Sequence, residues 1–483
     1  MLRSLCLCLC FVLAAANAEP SLELADCRIT AGAGFPGIKA RCGSLTRPEN
    51  PDDPSSPGIE LHVAVVPALD LDPEPDPFVP LAGGPGQGAI QFYSAYRAAF
   101  EPVRRERDIL LIDQRGTGNS ARMNCAVDRD MVESDYSIAE TLQAARDCLD
   151  ALPHDPKYFT TSVAVTDLEA VRQALGYDKL NLYGSSYGTR VAQHFARRYP
   201  AATRTIILDG VVPPQIPLGS EIATEAQRAI DTIFSRCAAD AACNGRFPDI
   251  DRAFLSLTEM LDVGPVAVEL ADPVTGRRET IDFGRAELAA AVRLLAYRPR
   301  TIALLPLLVH EAVTGNLVPL AAQLRLTVSS LEDSLALGMH NTVMCTEDIP
   351  FIDHAALDYD ALKSTYIGAF QLEALDAICS VWPSGPLDRG FREPLATDLP
   401  VLLLSGDADP ITPPRYAELA AVDLQRARHL IGERQGHGLV AAGCMPEIIA
   451  EFVAAADPDS LAADCLSRAF AMPFFLDYSG PTP

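Results

Sequence analysis

The sequence predicts an α/β fold: a mostly parallel, doubly wound sheet interrupted by an inserted helical cap domain. Short, continuously apolar runs that end in turn residues alternate with helical stretches, which is the pattern of a parallel sheet buried on both faces. From about Pro213 to Pro394 this alternation lapses and the pattern becomes mainly helical. The length of 483 residues suits one large core with one substantial insertion.

The change of pattern along the chain places the segment boundaries. We expect a signal peptide at 1–18, the first part of the α/β core at 19–212, a mainly helical cap at 213–395 and the second part of the core at 396–483. A helical insertion between two strands of a sheet is expected to cover the sheet edge.

The amino-terminal stretch MLRSLCLCLCFVLAAANA has the features of a signal peptide. An Arg precedes an apolar run from Leu5 to Ala16, and Ala16-Asn17-Ala18 fits a small-residue cleavage site. A membrane anchor is the alternative, but a bilayer requires a run of roughly 20 apolar residues. We therefore expect cleavage near Ala18, a secreted or periplasmic protein, and no membrane span in the mature chain.

The cysteines point to an oxidising compartment. Thirteen in the full chain become ten once Cys6, Cys8 and Cys10 leave with the signal peptide, and an even number in an exported chain favours disulfides over buried free thiols. Proximity in sequence predicts the pairs Cys27–Cys42, Cys125–Cys148, Cys237–Cys243, Cys345–Cys379 and Cys444–Cys465. No cysteine or histidine spacing indicates a metal site.

The strands and helices follow from apolar periodicity. Pro- and Asp-rich stretches at 47–58 and 69–77 predict loops on either side of a strand. The predicted strands are 59–67 and the runs within 78–86, 108–118, 179–188, 204–210, 399–410 and 427–432. Apolar residues at helical spacing and a terminal glycine predict a helix over 162–176, and a second helix is expected at about 446–455.

A serine stands where a strand passes into a helix. Gly184-Ser185-Ser186-Tyr187-Gly188 directly follows the apolar run KLNLY and precedes a helix-compatible stretch. Such a strand-to-helix elbow needs small neighbours because its turn is strained, and Gly184 and Gly188 meet that need. The spacing selects Ser186 rather than Ser185 as a nucleophile, with a tight turn without chemistry as the alternative.

A serine nucleophile needs a base, and the base needs a carboxylate to orient it. Of the eight histidines, His437 is the one flanked by glycines in a loop that follows a predicted strand. The strand within 399–410 ends in two carboxylates, Asp407 and Asp409. We favour Asp409, because Asp409 precedes Pro410 and a loop that can turn towards the histidine, whereas Asp407 can cap the turn.

Acyl transfer builds up charge on an oxyanion, which backbone N–H groups stabilise. One donor is expected at Tyr187, immediately after the nucleophile. The other is expected in the loop Gly83-Gly84-Pro85-Gly86, whose glycines allow the close approach of a substrate. Pro85 has no N–H group, so we predict Gly84 as the second donor.

Charge excludes some classes of partner. The 39 basic and 64 acidic residues give a formal net charge of -25, which repels nucleic acid and anionic lipid. An acidic cleft would instead attract a cationic group such as a peptide N-terminus.

Together these motifs resemble the prolyl iminopeptidase and tripeptidyl aminopeptidase family of α/β-hydrolases. The resemblance rests on Gly83 to Gly86, Asp113-Gln114-Arg115-Gly116-Thr117-Gly118, Gly184 to Gly188, Gly406 to Pro410 and Gly436-His437-Gly438, and it spans about 59–470 with a TAP-like C-terminal segment. It implies removal of residues or short peptides from a free N-terminus, without metal or cofactor. It also implies that Asp113-Gln114-Arg115 support the oxyanion loop. Ala82 stands where many members have His, which fits the tripeptidyl type at least as well as the prolyl type.

An enzyme acting on a free N-terminus needs carboxylates to hold the ammonium group. Glu347 and Asp348, beside Cys345, are the candidates in the cap, and a solvated acidic pair is the alternative. A carboxylic ester hydrolase with the same triad remains the main alternative function. An inactive binding protein is a further alternative, which the complete set of Ser186, Asp409, His437 and Gly84 argues against.

Overall fold

The computed structural model describes residues 22–30, 37–125, 137–468 and 471–481. The predicted signal peptide lies outside these residues. The described strands are β1 (Ala25–Ile29), β2 (Ile38–Pro48), β3 (Gly58–Val66), β4 (Glu74–Leu81), β5 (Arg107–Ile112), β6 (Leu180–Ser185), β7 (Thr203–Asp209), β8 (Val266–Ala271), β9 (Arg278–Phe283), β10 (Thr397–Gly406) and β11 (Leu424–Gly432).

The described helices surround the sheet and fill the insertion. They are α1 (Ala89–Arg104), α2 (Ile138–Ala151), α3 (Thr161–Ala174), α4 (Tyr187–Arg198), α5 (Ile222–Ala239), α6 (Ala241–Arg246), α7 (Ile250–Val263), α8 (Arg285–Leu295), α9 (Pro299–Ile302), α10 (Leu305–Val313), α11 (Val318–Ser334), α12 (Leu337–Val343), α13 (Tyr359–Ser364), α14 (Phe370–Cys379), α15 (Pro414–Ala420) and α16 (Met445–Ala455). A π-helical turn at Met344–Asp348 continues α12. Short 3-10 turns lie at Pro156–Tyr158, Pro200–Ala202, Ile349–Phe351, Pro458–Ser460 and Asp464–Arg468.

The main sheet has nine strands in the order β1-β2-β3-β5-β4-β6-β7-β10-β11. The strands from β5 to β11 in that order pair in parallel, and β1, β2 and β3 form an antiparallel edge. The carboxyl ends of β4, β6, β7 and β10 therefore lie at one edge of the sheet, where loops and helix N-termini gather. This mostly parallel, doubly wound arrangement confirms the predicted fold class.

Both faces of the sheet are buried. On β3, Val63 and Val65 pack into one apolar cluster with α3 and α4, while Ala64 and Val66 pack into another with α1 and α16. Side chains alternate between faces along a strand, so these clusters cover opposite sides. This explains why the strands have continuous rather than alternating apolar runs.

The insertion between β7 and β10 has an apolar core of its own. Residues of α5, α7, α8, α10 and α11 pack together there, and the hairpin β8–β9 adds Val268, Leu270, Ile281 and Phe283. The sequence pattern did not reveal this hairpin, because its strands alternate buried and exposed residues over only six positions each.

β4 begins earlier than predicted. The stretch 69–77 was expected to be a loop because of its prolines, yet β4 already starts at Glu74 and contains Pro75 and Pro77. The pairing of β4 with β5 is irregular between Glu74 and Phe78, and this irregularity accommodates residues that cannot donate ladder hydrogen bonds.

The structure contains the five disulfides that proximity in sequence predicted. Two of them, Cys237–Cys243 and Cys345–Cys379, lie within the insertion. Among the described residues, no helix is long and apolar enough to cross a membrane.

Candidate active site

Ser186 lies in a strained elbow between β6 and α4. Its backbone has φ 54° and ψ -124°, a conformation that non-glycine residues rarely adopt. A side chain at Gly184 would place its Cβ 2.3 Å from the carbonyl oxygen of Gly188, and one at Gly188 would place its Cβ 2.2 Å from that of Leu81. The two glycines are therefore required for the helix to pack this close to the sheet, as the elbow motif predicts.

The loop after β4 lies against the serine. A Cβ built on Gly83 would lie 3.6 Å from Ser186 Oγ, and Gly84 has φ 109°. The amides of Gly84 and Tyr187 thus belong to the two chain segments that flank Ser186. Their role as oxyanion donors stays a prediction.

Three polar residues directly after β5 form side-chain hydrogen bonds to neighbouring segments: Asp113, Gln114 and Arg115. Asp113 Oδ1 accepts a hydrogen bond from the backbone N–H of Ile90 at 3.0 Å, at the start of α1. Gln114 Nε2 donates to the hydroxyl of Tyr187 at 3.0 Å. Arg115 is buried and donates to Asp167 from both Nε and Nη2, at 2.6 and 2.9 Å. Gln114 thus contacts the residue that follows Ser186, whereas Arg115 contacts α3; the support of the loop from Gly83 to Gly86 that the family resemblance implies stays a prediction.

His437 and Asp409 form a hydrogen-bonded pair at the same edge of the sheet. His437 Nδ1 lies 2.7 Å from Asp409 Oδ2, and Asp409 is fully buried. The backbone N–H of His437 donates to the carbonyl of Tyr297 at 2.8 Å, and the Tyr297 ring packs edge-on against the imidazole at 5.1 Å. The imidazole is therefore held through Nδ1 by Asp409 and packed against the ring of Tyr297.

Electrostatics favour an ionised Asp409 beside a basic His437. Burial alone would raise the pKa of Asp409, but the charge and hydrogen bond of His437 and the N–H groups of Thr412 and Ile411 outweigh it, so the pKa is lowered. Burial lowers the pKa of His437. The charges of Asp409 and Asp209 and the hydrogen bond to Asp409 raise this pKa by more than burial lowers it, so the net direction is upward.

Asp407 does not pair with the histidine. Its carboxylate Oδ1 is buried without a hydrogen-bond partner among the described residues. Arg228 of α5 instead donates to the backbone carbonyls of Asp407 and Asp409 at 3.0 and 2.7 Å. The geometry therefore brings Asp409, and not Asp407, to His437.

Thr412 was not anticipated. Its hydroxyl donates to Asp409 Oδ2 at 2.7 Å and lies 3.1 Å from His437 Nδ1. Asp409 Oδ1 accepts the backbone N–H groups of Ile411 and Thr412, both at 2.9 Å. A short polar side chain three residues after the aspartate of an Asp-Pro pair is the sequence signal of this turn that could have identified Thr412.

Glu347 and Asp348 lie in a buried cluster behind Tyr187. Both side chains are fully buried, so the alternative of a solvated acidic pair is wrong. Glu347 accepts hydrogen bonds from the N–H and the hydroxyl of Thr161 at 2.7 and 2.9 Å. Asp348 pairs with Arg190 at 2.8 Å and accepts the N–H of Leu218 at 2.7 Å. All four carboxylate oxygens have protein partners, and the amine-binding role stays a prediction.

The pKa of Glu347 is unusual for a carboxyl group. Burial raises it to about 7, although Arg190 and the Thr161 N–H lower it. Among the described residues, no group of three His, Cys, Asp or Glu side chains is arranged to hold a metal ion.

Two family models match the chain. The model for the α/β hydrolase fold matches residues 76–232, which carry the oxyanion loop and the serine elbow, and the model for TAP-like proteins matches 364–465, which carry Asp409 and His437. These matches agree with the sheet order and the elbow geometry. The chain has the α/β-hydrolase fold, with a segment at 364–465 that matches TAP-like proteins.

Known proteins resemble this α/β-hydrolase over different lengths. Serine protease Hip1 of Mycobacterium tuberculosis is 26% identical over 500 residues, covering 93% of this chain and 92% of Hip1. The tripeptidyl aminopeptidase of Streptomyces coelicolor is 28% identical over 148 residues, 27% of each chain. The proline iminopeptidase of Neisseria meningitidis is 30% identical over 141 residues, 29% of this chain and 34% of that protein. The family resemblance predicted from the motifs is confirmed, and the protein is a hydrolase.

Among solved structures, proline iminopeptidase of Mycobacterium smegmatis aligns with 86% of this α/β-hydrolase and 99% of its own chain, at 16% identity and a TM-score of 0.44.

Proposed function

We propose that this hydrolase is a serine aminopeptidase that releases residues or short peptides, of prolyl or tripeptidyl type, from a free N-terminus. The observation that carries the proposal is the 2.7 Å pair of His437 Nδ1 and Asp409, set at the sheet edge that bears the Ser186 elbow. That pairing fixes the tautomer of the imidazole, which an acyl-transfer base needs.

The mechanism follows from these positions. His437 Nε2 takes the proton of Ser186 Oγ as Oγ attacks the scissile carbonyl, and Asp409 stabilises the imidazolium that forms. The N–H groups of Gly84 and Tyr187 bind the oxyanion. His437 then gives the proton to the leaving amine, and water releases the acyl group by the same steps in reverse order.

Two observations favour peptides over esters. The relative that matches nearly the whole chain is named a serine protease, and two partial relatives are named for aminopeptidase activities. The formal net charge of -25 favours a cationic group such as a substrate ammonium. A carboxylic ester hydrolase would use the same triad, so the substrate panel must separate the two.

The test compares the wild type with Ser186→Ala and with the matched control Ser185→Ala. The panel contains free-amine Pro, Ala and tripeptide amides, their N-blocked forms and a short acyl ester. We expect turnover of free-amine substrates that blocking abolishes, loss of activity in Ser186→Ala, and retained activity in Ser185→Ala. Turnover of the ester alone would support an esterase, and full activity in Ser186→Ala would exclude Ser186 as the nucleophile.

We also propose that the protein is exported, with cleavage after Ala18. The disulfides support this proposal, because such bonds persist in oxidising compartments. N-terminal sequencing of protein recovered from the periplasm or medium of an expressing bacterium should begin at Glu19. Recovery from the cytoplasm with Met1 intact would contradict export.

A further inference from the structure

Asp209, at the end of β7, contacts both halves of the candidate site. Its side chain is fully buried and accepts hydrogen bonds from the Tyr183 hydroxyl at 2.6 Å and from the backbone N–H groups of Leu439 and Val440 at 2.8 and 3.0 Å. Its backbone carbonyl accepts the N–H of Ser186 at 2.9 Å. One residue therefore fixes the elbow of the serine and the segment that immediately follows the histidine.

The sheet register explains this position. Asp209 is paired with Ser185 of β6 on one side and with Leu404 of β10 on the other, so it lies between the strand that carries the serine and the strand that leads to Asp409. The next residue, Gly210, lies directly against the imidazole, because a Cβ there would be 3.0 Å from His437 Cε1. The end of β7 therefore packs directly against the side chain of His437.

The contacts of Asp209 match those of a carboxylate. All three groups can donate to an ionised Asp209; the N–H groups of Leu439 and Val440 can only donate, whereas the Tyr183 hydroxyl can also accept. Burial raises the pKa of Asp209 above its ordinary value, and the Tyr183 hydroxyl, the N–H groups of Leu439 and Val440 and the charge of His437 offset this rise only in part. The charged groups that act on His437 are Asp409 from the loop after β10, Asp209 from β7 and Arg293 from α8.

We propose that Asp209 is a positioning residue for the hydrolytic reaction, which holds the His437 segment against the Ser186 elbow and places a second negative charge beside the imidazolium. The inference rests on the proposed function for its kinetic part. Asp409 orients Nδ1, whereas Asp209 acts through the backbone of the loop and through charge. The two carboxylates thus contribute separately to the same histidine.

The test is Asp209→Asn, which keeps the size of the side chain and removes its charge. We expect kcat to fall at least about tenfold with little change in KM, because the substrate does not contact Asp209. In the pH profile of kcat/KM, activity falls on the acid side as His437 becomes protonated. This acid limb should move to lower pH by about half a unit or more, since loss of a nearby negative charge lowers the pKa of His437. A merely structural role would not move that limb.

The matched control is Asp76→Asn. Asp76 is another buried carboxylate, which pairs with Arg107 at 3.1 Å and accepts from Asn181 at 2.6 Å near the amino ends of β4 and β6, at the opposite edge of the sheet. This variant should lower the melting temperature without moving the acid limb. If Asp209→Asn does not fold, Tyr183→Phe removes a donor that lowers the pKa of Asp209; the carboxyl then favours its neutral form, and the acid limb should shift in the same direction.

A readout without turnover separates this inference from the proposed function. Titration of 13C-labelled histidines by NMR, with His437 assigned through His437→Gln, should show a lower pKa for His437 in Asp209→Asn than in the wild type. An unchanged pKa of His437 in Asp209→Asn would overturn the inference. So would a kcat within twofold of the wild type together with an acid limb within a tenth of a pH unit of the wild type. An inactive wild type with the expected NMR shift would instead refute the proposed substrate class.

Discussion

Asp409 divides its hydrogen bonds between its own loop and the histidine. Oδ1 accepts the backbone N–H groups of Ile411 and Thr412, and Oδ2 accepts the Thr412 hydroxyl and His437 Nδ1. The loop thus orients the carboxylate independently of the imidazole. Such preorganisation is what an orienting acid needs, because misplacement of the base reduces proton transfer.

The hydroxyl of Thr412 should matter for turnover. Thr412→Val removes a hydrogen bond to an ionised group, which typically contributes about 1.5 kcal/mol, so we expect kcat/KM to fall about tenfold. Steady-state kinetics on the best peptide substrate measures this. Thr327→Val is the control, because the Thr327 hydroxyl bonds only the carbonyl of Gln323 within α11 among the described contacts. Equal kinetics of both variants and the wild type would contradict the role.

Glu347 should make stability depend on pH. Burial raises its pKa from an ordinary 4.5 to about 7, so between these values the folded protein holds a proton that the unfolded chain has released. The contribution of Glu347 to the free energy of unfolding is full below about pH 4.5 and is lost as the pH rises through 7. Glu347→Gln replaces the titratable carboxyl group by an amide that does not titrate. The free energy of unfolding of the wild type, relative to this variant, should fall between pH 5 and 7 by up to about 1.4 kcal/mol per unit.

Urea unfolding at pH 5, 6 and 7 measures this difference. Glu433→Gln, at an exposed position, is the control and should follow the wild type at each pH. Parallel curves for Glu347→Gln and the wild type would show that Glu347 does not titrate in this range. A selective rise of KM for free-amine substrates in Glu347→Gln would support the amine-binding role.

At this scale, the sequence identified the residues that a local pattern marks. Ser186 stands in a glycine-spaced elbow, and His437 has glycines on both sides. Asp209 and Glu347 carry no such pattern, because their importance comes from burial and from partners distant in the chain. A carboxylate at a strand end followed directly by glycine, as in Asp209-Gly210, is the signal that the sequence offers for such a position.

The inserted segment forms hydrogen bonds and an ion pair with the core close to the candidate site. The backbone N–H of Ala336 donates to the carbonyl of Gly86 at 3.0 Å, Arg228 donates to two carbonyls of the Asp409 loop, and Asp348 pairs with Arg190 of α4. These contacts reach the loop from Gly83 to Gly86, the loop of Asp409 and the helix that follows Ser186. The insertion therefore contributes to the shape of the candidate site.

The disulfide Cys345–Cys379 joins the π-helical turn of Glu347 and Asp348 to the end of α14. It closes a loop of 34 residues, whereas Cys237–Cys243 closes a loop of 6. In the chain-entropy view the two bonds stabilise by about 4 and about 2 kcal/mol. We expect Cys345→Ser with Cys379→Ser to lower the free energy of unfolding about 2 kcal/mol more than Cys237→Ser with Cys243→Ser.

Chemical unfolding of the two double variants checks this order. The first pair should also lower kcat, because the turn it anchors contacts Thr161 and Arg190 beneath Tyr187. A greater loss of stability from the short loop would contradict the expected order.

Elements were predictable where periodicity was strong. The parallel strands of the core have continuous apolar runs, and their alternation with helices predicts parallel pairing; the spatial order of the strands was not predicted. β1 and β2 were not identified, because they form an antiparallel edge with exposed residues along their length. The π-helical turn follows α12 without a break in composition, so its altered hydrogen bonding could not be read from sequence.

For the whole molecule, the sheet brings together groups that are distant in the chain. The elbow after β6, the loop after β10 and the loop after β11 meet at one edge because parallel strands place their carboxyl ends together. The packing of the insertion rests on apolar contacts between residues distant in the chain, which have no local sequence signature. The hydrolase class was therefore predictable from sequence, and the shape of the insertion was not.

The most direct test of the central claim is the position of a covalent adduct. The folded protein is treated with a fluorophosphonate, which reacts with activated serines, then digested and mapped by tandem mass spectrometry. We predict one adduct on Ser186 in the wild type and its loss in His437→Ala, since the base activates the nucleophile. An adduct on Ser185 or another residue, or labelling of Ser186 that does not depend on His437, would contradict the account.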